Sequence, residues 1–262
     1  MQRKLGINSG CIRKGDPLQT LKIAKDCGFT CFFSDSYQTK SIYAQKEEAE
    51  RLGLEFEFIH GPYDTCNDFW LPNDDYLDIF GRLVQTIDAA ATAGVKAVIV
   101  HVSASFTPPF INDLGFSRYD KLVEYAEKKG VILAFENLRK LGNLAAIMDR
   151  YEGNPFVKNC YDCGHEHCFT PPVQFIEIFN KNLYCTHIHD NFGLPKPRGE
   201  GDFHLLPFDG DIDYADIIRR LDKIGYTGCL MLEVFDHRQY EGMNPEQFIH
   251  TAYERALKLS KL

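Results

Sequence analysis

The chain has 262 residues, a formal net charge of −8 and 44% hydrophobic residues. This length suits one large domain or two small ones, and parallel α/β barrels commonly occupy about 250 residues as a single unit. The acidic balance argues against a protein that grips nucleic acid, because non-specific affinity for a phosphate backbone comes mainly from Lys and Arg.

Short apolar runs alternate with helical patterns along the chain. Most of the runs are rich in β-branched or aromatic residues, which is typical of buried strands. They predict eight strands, at 4–8, 30–35, 54–60, 96–103, 131–137, 157–164, 183–191 and 228–235. The patterns between them predict eight helices, at 16–28, 41–53, 76–94, 118–130, 143–153, 171–180, 213–225 and 244–260.

This strict alternation, without a Pro- or Ser-rich linker, predicts a single (β/α)₈ TIM barrel domain over residues 1–262. A doubly wound open sheet would share the alternation, and the count of eight favours the barrel. No apolar run reaches the roughly 18 residues of a membrane helix, and no signal peptide is evident. With an odd number of cysteines, nine, several of them in apolar runs, we expect a cytoplasmic protein with reduced thiols and no membrane partner.

Six predicted strands change from apolar to ionisable residues where they end. These residues are His60, His101, Glu136, Asp162, His187 and Glu233. Catalytic groups of a barrel lie at the C-terminal ends of its strands, so the six should converge on one axis. Burying them together is costly unless something pairs with them, and a divalent cation is the natural partner of carboxylates and neutral imidazoles.

The segment NCYDCGHEHCF, at 159–169, taken alone, resembles a zinc-binding or redox-active cysteine motif. Strand alternation puts Cys160 and Asp162 on one face and Cys163 on the other, and Asp162-x-x-His165 then forms a ligand pair at the strand end. The second Cys-x-x-Cys of a zinc ribbon is absent from the sequence. We therefore expect three cysteines to serve packing only: Cys160, Cys163 and Cys168.

Strand seven places His187 and His189 on one face, with His187 deeper and the stronger ligand candidate. We expect His189 to support a ligand or to face the substrate. The long loop that follows contains Asp202-x-His204, and loops of this length are usually functional. Two of its cations either contact a phosphate or carboxylate of the substrate or are solvated: Lys196 and Arg198.

The motifs HGPY, HVS, FENL, DCGH, HIHDN, DFH…PFDG.ID and LEVF follow the successive strand ends in this order. As a set they resemble the xylose isomerase-like TIM-barrel superfamily. That superfamily joins sugar and sugar-phosphate isomerases and epimerases to endonuclease IV, also called AP endonuclease family 2. The resemblance covers the chain from about strand one to strand eight.

The resemblance implies two ligand sets. The isomerases and epimerases bind one Mn, Mg, Co or Zn ion, which implies the ligands Glu136, Asp162, His187 and Glu233. The endonucleases bind three zinc ions with five further residues, which match His60, His101, His165, Asp202 and His204. All nine residue types are present, but HIHDN with PFDG.ID looks more like the sugar branch, and no Arg- and Lys-rich set of loops suited to a DNA duplex is evident.

We therefore predict a metal-dependent isomerase or epimerase of a small sugar or sugar phosphate. In such an enzyme the metal stabilises an enediolate, while Glu136 and Glu233 move the proton. The remaining predicted substrate contacts are His165, His189, Tyr63, Trp70, Lys196 and Arg198.

Two other functions stay open. The first is a zinc phosphodiesterase of the endonuclease IV type, in which Glu136 bridges metals. The second is a metal-binding barrel without turnover, since a fold alone does not establish an activity. We expect nucleic acid not to be the partner, and the oligomeric state, including a homo-oligomer, is left open by the sequence.

Overall fold

The computed structural model describes residues 3–171, 173–194 and 201–262. Its eight strands are β1 (Leu5–Asn8), β2 (Cys31–Ser34), β3 (Glu55–His60), β4 (Ala97–Val100), β5 (Ile132–Glu136), β6 (Val157–Asp162), β7 (Leu183–His187) and β8 (Leu230–Leu232). Its helices are α1 (Pro17–Cys27), α2 (Thr39–Leu52), α3 (Tyr76–Ala93), α4 (Asp113–Lys129), α5 (Leu141–Arg150), α6 (Cys163–Phe169), α7 (Phe175–Ile178), α8 (Tyr214–Lys223) and α9 (Pro245–Leu259). All eight predicted strands are confirmed.

The strands form one parallel sheet in the order β7-β6-β5-β4-β3-β2-β1-β8. The two ends of this order meet through Ile188, just beyond β7. Its N–H donates to the carbonyl of Met231 at 2.8 Å, and its carbonyl accepts the N–H of Glu233 at 3.0 Å. The sheet is therefore a nearly closed barrel surrounded by helices, and the predicted (β/α)₈ fold is confirmed.

The lower part of the barrel interior is apolar. We call this cluster the floor, and it contains Cys31, Phe33, Phe58, Ala97, Ile99, Ala134, Cys160, Cys185, Cys229 and Met231. A separate and larger cluster fills the layer between the strands and the helices. Cys160 lies in the floor and Cys163 in the outer layer, as the alternation of strand β6 predicts.

The helices differ from the sequence predictions at several places. The predicted strand at 157–164 and helix at 171–180 leave no helix between them, but residues 163–169 form helix α6, because the Asp162 carboxylate accepts the N–H of His165 at 2.6 Å and caps the helix. Helix α4 begins at Asp113, five residues before its predicted start at 118, since the Asn112 side chain caps the N–H of Gly115. Within the described residues no helix is long and apolar enough to cross a membrane.

Candidate active site

Polar residues stand directly above the floor on six strands. On each strand, the residue two positions after a floor residue, and so on the same face, is ionisable. The pairs are Phe58 and His60, Ile99 and His101, Ala134 and Glu136, Cys160 and Asp162, Cys185 and His187, and Met231 and Glu233. We call the six polar residues the mouth, and all six are buried. The sequence prediction that these side chains converge is correct.

A first group of potential ligands combines His60 and His101 with Glu136. The Glu136 Oε2 lies 2.9 Å from the Nε2 of His101 and 3.5 Å from that of His60. The Nδ1 of His60 is 2.9 Å from the Gly61 carbonyl, and donation to that carbonyl leaves its Nε2 free to accept or to bind an ion.

The second group shares Glu136 and adds Asp162, His187 and Glu233. The Nδ1 of His187 lies 3.3 Å from the Oε1 of Glu136 and 3.3 Å from the Oε2 of Glu233. Its ring stacks on Phe33 of the floor, with centroids 4.9 Å apart. The two glutamates therefore approach each other across a histidine that the apolar floor supports.

A third group lies beside the other two and consists of His165, His189, Asp202 and His204. The Oδ2 of Asp202 is 3.0 Å from the Nε2 of His165, and its Oδ1 is 3.3 Å from the Nε2 of His204. The rings of His189 and His204 stack with centroids 3.9 Å apart. Residues from three separate motifs, DCGH, HIHDN and DFH, thus meet at one place.

The loop that carries Asp202 and His204 is fixed by Asp190. The carboxylate of Asp190 accepts the backbone N–H groups of Phe208 and Ile212 at 2.9 and 3.2 Å, so the Asp of HIHDN holds the PFDG.ID segment. His204 itself adopts a left-handed backbone with φ +47°, which is uncommon for residues other than glycine, although histidine adopts it more often than most.

Helix α6 brings His165 over the mouth and depends on Gly164. A Cβ atom at Gly164 would overlap the imidazole of His189, so the close approach of this helix to strand β7 requires a glycine. Asn137, from the FENL motif, adds two hydrogen bonds to the backbone of Asp162, at 2.7 and 2.8 Å. Motif residues that bear no charge therefore position the charged ones.

The carboxylates dominate the electrostatics of the site. Burial alone would lower the pKa of His187, but Glu233 and Glu136 outweigh it and raise that pKa to about 10. Burial would likewise lower the pKa of His204, yet Asp202 raises it to about 10. The site therefore attracts positive charge, and a divalent cation would meet the same demand while displacing protons from the imidazoles.

The side chains at this site fit a metal. Three buried polar atoms here lack a hydrogen-bond partner among the described residues: the Nε2 of His187, the Nδ1 of His189 and the Oδ1 of Asp202. Buried polar atoms are seldom left without a partner unless an ion or a water binds there. Carboxylate oxygens and imidazole nitrogens are ligands that Zn²⁺ and Mn²⁺ accept.

Two connected cavities open above these groups. The inner one, about 340 Å³, is lined by His60, His101, Glu136, His165 and Glu233. The outer one, about 630 Å³, continues toward solvent. Tyr63 lines both and is 49% exposed, which agrees with its expected place near the substrate. These volumes suit a small molecule.

Two predicted substrate contacts, Trp70 and His189, do not line the cavities. Trp70 was expected near the substrate, but it is 2% exposed in the core, where its indole N–H donates to the Val102 carbonyl at 2.8 Å. His189 has no exposed surface, so it takes part in the third group and does not face the substrate. The two predicted cations, Lys196 and Arg198, lie outside the described residues.

Two residues of the inner cavity were missed. Asp35 follows strand β2 and lines this cavity, and burial, followed by the charge of Glu233, raises its pKa to about 6. The rule that found the mouth would also have found Asp35, because it stands two residues after Phe33 of the floor. Arg139, three residues after Glu136, lines both cavities.

Comparison with known proteins identifies relatives of this chain. The model of the xylose isomerase-like TIM barrel family matches residues 21–259. An uncharacterised protein, y4fM, of Sinorhizobium fredii (strain NBRC 101917 / NGR234) is 30% identical over 196 residues, which cover 69% of this chain and 60% of that protein. The alignment therefore spans less than two thirds of the length of this relative.

Solved structures resemble the fold. The IOLI protein with a bound zinc atom superposes with a TM-score of 0.79 at 17% identity, over 98% of both chains. A D-psicose 3-epimerase from Clostridium cellulolyticum H10, crystallised with D-tagatose, has a TM-score of 0.77 at 16% identity, also over 98% of both chains. At such identities the likeness concerns the fold.

Proposed function

Since the chain belongs to the xylose isomerase-like TIM barrel family, we propose that it is a divalent-metal-dependent isomerase or epimerase of a sugar or sugar phosphate. The observation that carries this proposal is the opposition of two buried glutamates below a cavity of small-molecule size. Glu136 and Glu233 each lie 3.3 Å from the same nitrogen of His187, and both line the inner cavity.

The proposed metal ligands are Glu136, Asp162, His187 and Glu233. A divalent ion held by them would supply Lewis acidity, which makes a C–H bond next to a sugar carbonyl easier to deprotonate. Fold relatives that include a D-psicose 3-epimerase and a zinc-bound IOLI protein support this direction.

The chain's own groups would move the proton. One of Glu136 and Glu233 removes the proton from the carbon beside the carbonyl, and the other returns a proton, to the opposite face for an epimerase. His165 and Tyr63, which line the inner cavity, would hydrogen-bond substrate oxygens. The apolar floor lies below these groups.

A second candidate is a zinc phosphodiesterase of the endonuclease IV type. The observation that favours it is the set of three adjoining groups, two of which share Glu136. With a metal in each group, Glu136 would act as a bridge and would no longer be free to move protons. Neighbouring metals suit the in-line displacement of a phosphodiester.

The experiment that separates the two candidates uses both substrates side by side. The protein, loaded with Mn²⁺ or Zn²⁺, is incubated in D₂O with a panel of ketoses and ketose phosphates, and in parallel with an abasic DNA duplex. We expect metal-dependent deuterium incorporation at the carbon next to a sugar carbonyl, and no incorporation with Glu136→Gln. Metal content per chain is measured on the same samples.

Incision of the duplex at catalytic rates, with three metals per chain and no exchange into any sugar, would replace the isomerase by the phosphodiesterase. Metal binding with neither reaction would instead support a barrel without turnover. An Asp211→Asn variant, a change in the loop outside the ligand groups, serves as the control for handling of the protein.

A further inference from the structure

The outer cavity has a positive rim that the chemistry at the mouth does not use. We call the rim Arg13, Arg139, His237 and Arg238, which all line this cavity. Asp202 is the carboxylate among the described lining residues, and it already faces His165 and His204. In a chain with a net charge of −8, this is a local reversal of sign.

Arg139 is held in place by two aromatic rings. Its guanidinium lies 3.9 Å from the ring centroid of Phe169 and 5.0 Å from that of Phe106. Stacking on aromatic faces fixes the plane of a guanidinium and leaves its N–H edge available to an acceptor in that plane. Its Nε is buried and has no hydrogen-bond partner among the described residues.

Two arginines away from the rim pair with carboxylates of the chain. Arg150 also stacks on a phenylalanine, Phe116, at 4.8 Å, but it pairs with Asp120. Arg220, which is buried, pairs with Glu166. Arg139 and the side chain of Arg13 have no such carboxylate or carbonyl partner within the described parts of the chain, and both line the cavity. A missing internal partner at the cavity wall indicates a partner from outside.

The positive charges of the rim also affect the pKa of His237. Burial, together with the positive charges of Arg238 and Arg13, lowers the pKa of His237. His237 is a half-buried part of the cavity wall. An anion entering here would meet several donors, and Asp202, the carboxylate among the described lining residues, already faces His165 and His204.

We propose that the substrate is an anionic sugar, with a phosphate or carboxylate group that Arg139 and Arg13 bind while the carbonyl end lies between Glu136 and Glu233. This inference rests on the proposed function and gives its substrate class. Arg139 lines both cavities. It can therefore contact the end of such a molecule that extends from the mouth into the outer cavity. Guanidinium groups match the geometry of both anions.

Binding can test the proposal independently of turnover. Isothermal titration calorimetry is performed with D-fructose 6-phosphate, D-glucuronate and D-fructose, with and without Mn²⁺ because phosphate also coordinates metals. We expect one or both anionic sugars to bind about tenfold or more tightly than D-fructose, the effect of one charge-assisted hydrogen bond pair. Whichever anion is preferred identifies the group as a phosphate or a carboxylate.

Variants locate the effect. Arg139→Gln should reduce the preference for the anionic sugar several-fold, with only the contribution of Arg13 left, and Arg139→Lys should retain more of it, since charge without the planar fork remains. Arg150→Gln is the matched control, because it removes another arginine stacked on a phenylalanine, and it should leave the preference unchanged. Thermal unfolding of each variant verifies that it is folded.

Three results would overturn the proposal: equal affinity of wild type for all three sugars, a preference that is undiminished in Arg139→Gln, or Arg139-dependent binding of an abasic duplex without any sugar preference. The outcome is separable from that of the proposed function. A preference for anionic sugars without deuterium exchange refutes the isomerase and keeps the anion site. Deuterium exchange into neutral ketoses, with no preference for an anionic sugar, supports the isomerase and refutes the anion site.

Discussion

The floor and the mouth of the barrel use the same strands, the same faces and neighbouring positions, yet they differ in chemistry. Met231 of the floor and Glu233 of the mouth are two residues apart on one strand. The floor fills space with Phe, Ile, Met, Ala and Cys side chains, which is what closing a barrel requires. The mouth buries carboxylates and imidazoles, which folding does not require and which cost stability unless they are paired. From this difference we infer that the residues of the mouth are there to bind a ligand.

The largest expected effect comes from Glu233→Gln, which changes a charge at the mouth and keeps the shape. We expect sugar-dependent deuterium exchange to fall about 10³-fold or more, since a proton-transfer group and a ligand are both lost. The free energy of unfolding should change little. Exchange kinetics, elemental analysis and urea titration measure the three quantities, and full metal occupancy with normal turnover would refute the role of Glu233.

The complementary change is made in the floor. Met231→Ala leaves the mouth residues in place but creates a cavity, so we expect the free energy of unfolding to fall by about 2–5 kcal/mol. Metal content and the exchange rate per folded molecule should be largely retained. If Met231→Ala reduced the exchange rate as strongly as Glu233→Gln does, the separation of floor and mouth would be wrong.

A smaller effect is expected where helix α6 approaches the third group. Gly164→Ala places a Cβ against the ring of His189, and overpacking of this kind costs about 1–3 kcal/mol. Gly81→Ala is the control, because a Cβ there meets no atom within 4 Å inside helix α3, and this variant should be as stable as wild type or slightly more so. Thermal unfolding compares them, and equal losses of stability would contradict the close-approach argument.

The smallest effect is expected for Cys163→Ser. Cys163 lies outside the three ligand groups and donates its S–H to the His189 carbonyl at 3.4 Å, so the metal content per chain should stay unchanged. Asp162→Asn, one residue earlier, should lower it. A loss of one metal in Cys163→Ser would move the boundary between packing and ligand residues and restore a cysteine ligand in this segment.

Much of this arrangement could be predicted from sequence because it follows from local regularities. Apolar runs of strand length gave all eight strands, and the alternation of strand faces placed Cys160 in the floor and Asp162 in the mouth. The same rule would have predicted that Asp35 lines the inner cavity. Whether the four proposed ligands bind one metal, as the sequence suggests, stays a prediction.

What the sequence could not provide depends on long-range packing. Trp70 was assigned to the substrate because of its residue type, but Asn112 and Arg118 of the distant α4 region bind the carbonyls around it and hold this turn in the core. The rim joins Arg13, Arg139 and Arg238 from three loops far apart in sequence. No local sequence pattern indicates that these three residues converge.

The seam between strands β7 and β8 is bonded differently from the other strand pairs of the barrel. Within the described residues it is held by the backbone bridge of Ile188 with Leu232 and by the Thr186 hydroxyl, which bonds the carbonyl of Cys229 and the N–H of Met231, whereas other neighbouring strands form backbone ladders, such as β4 with β5. His187 and Glu233 stand on opposite sides of this seam, 3.3 Å apart. An ion bound by both residues would therefore hold strands β7 and β8 together. Native-state amide hydrogen exchange at Ile188 and Glu233 should then slow when metal is added, while the amides of β4 and β5 exchange at the same rate as before.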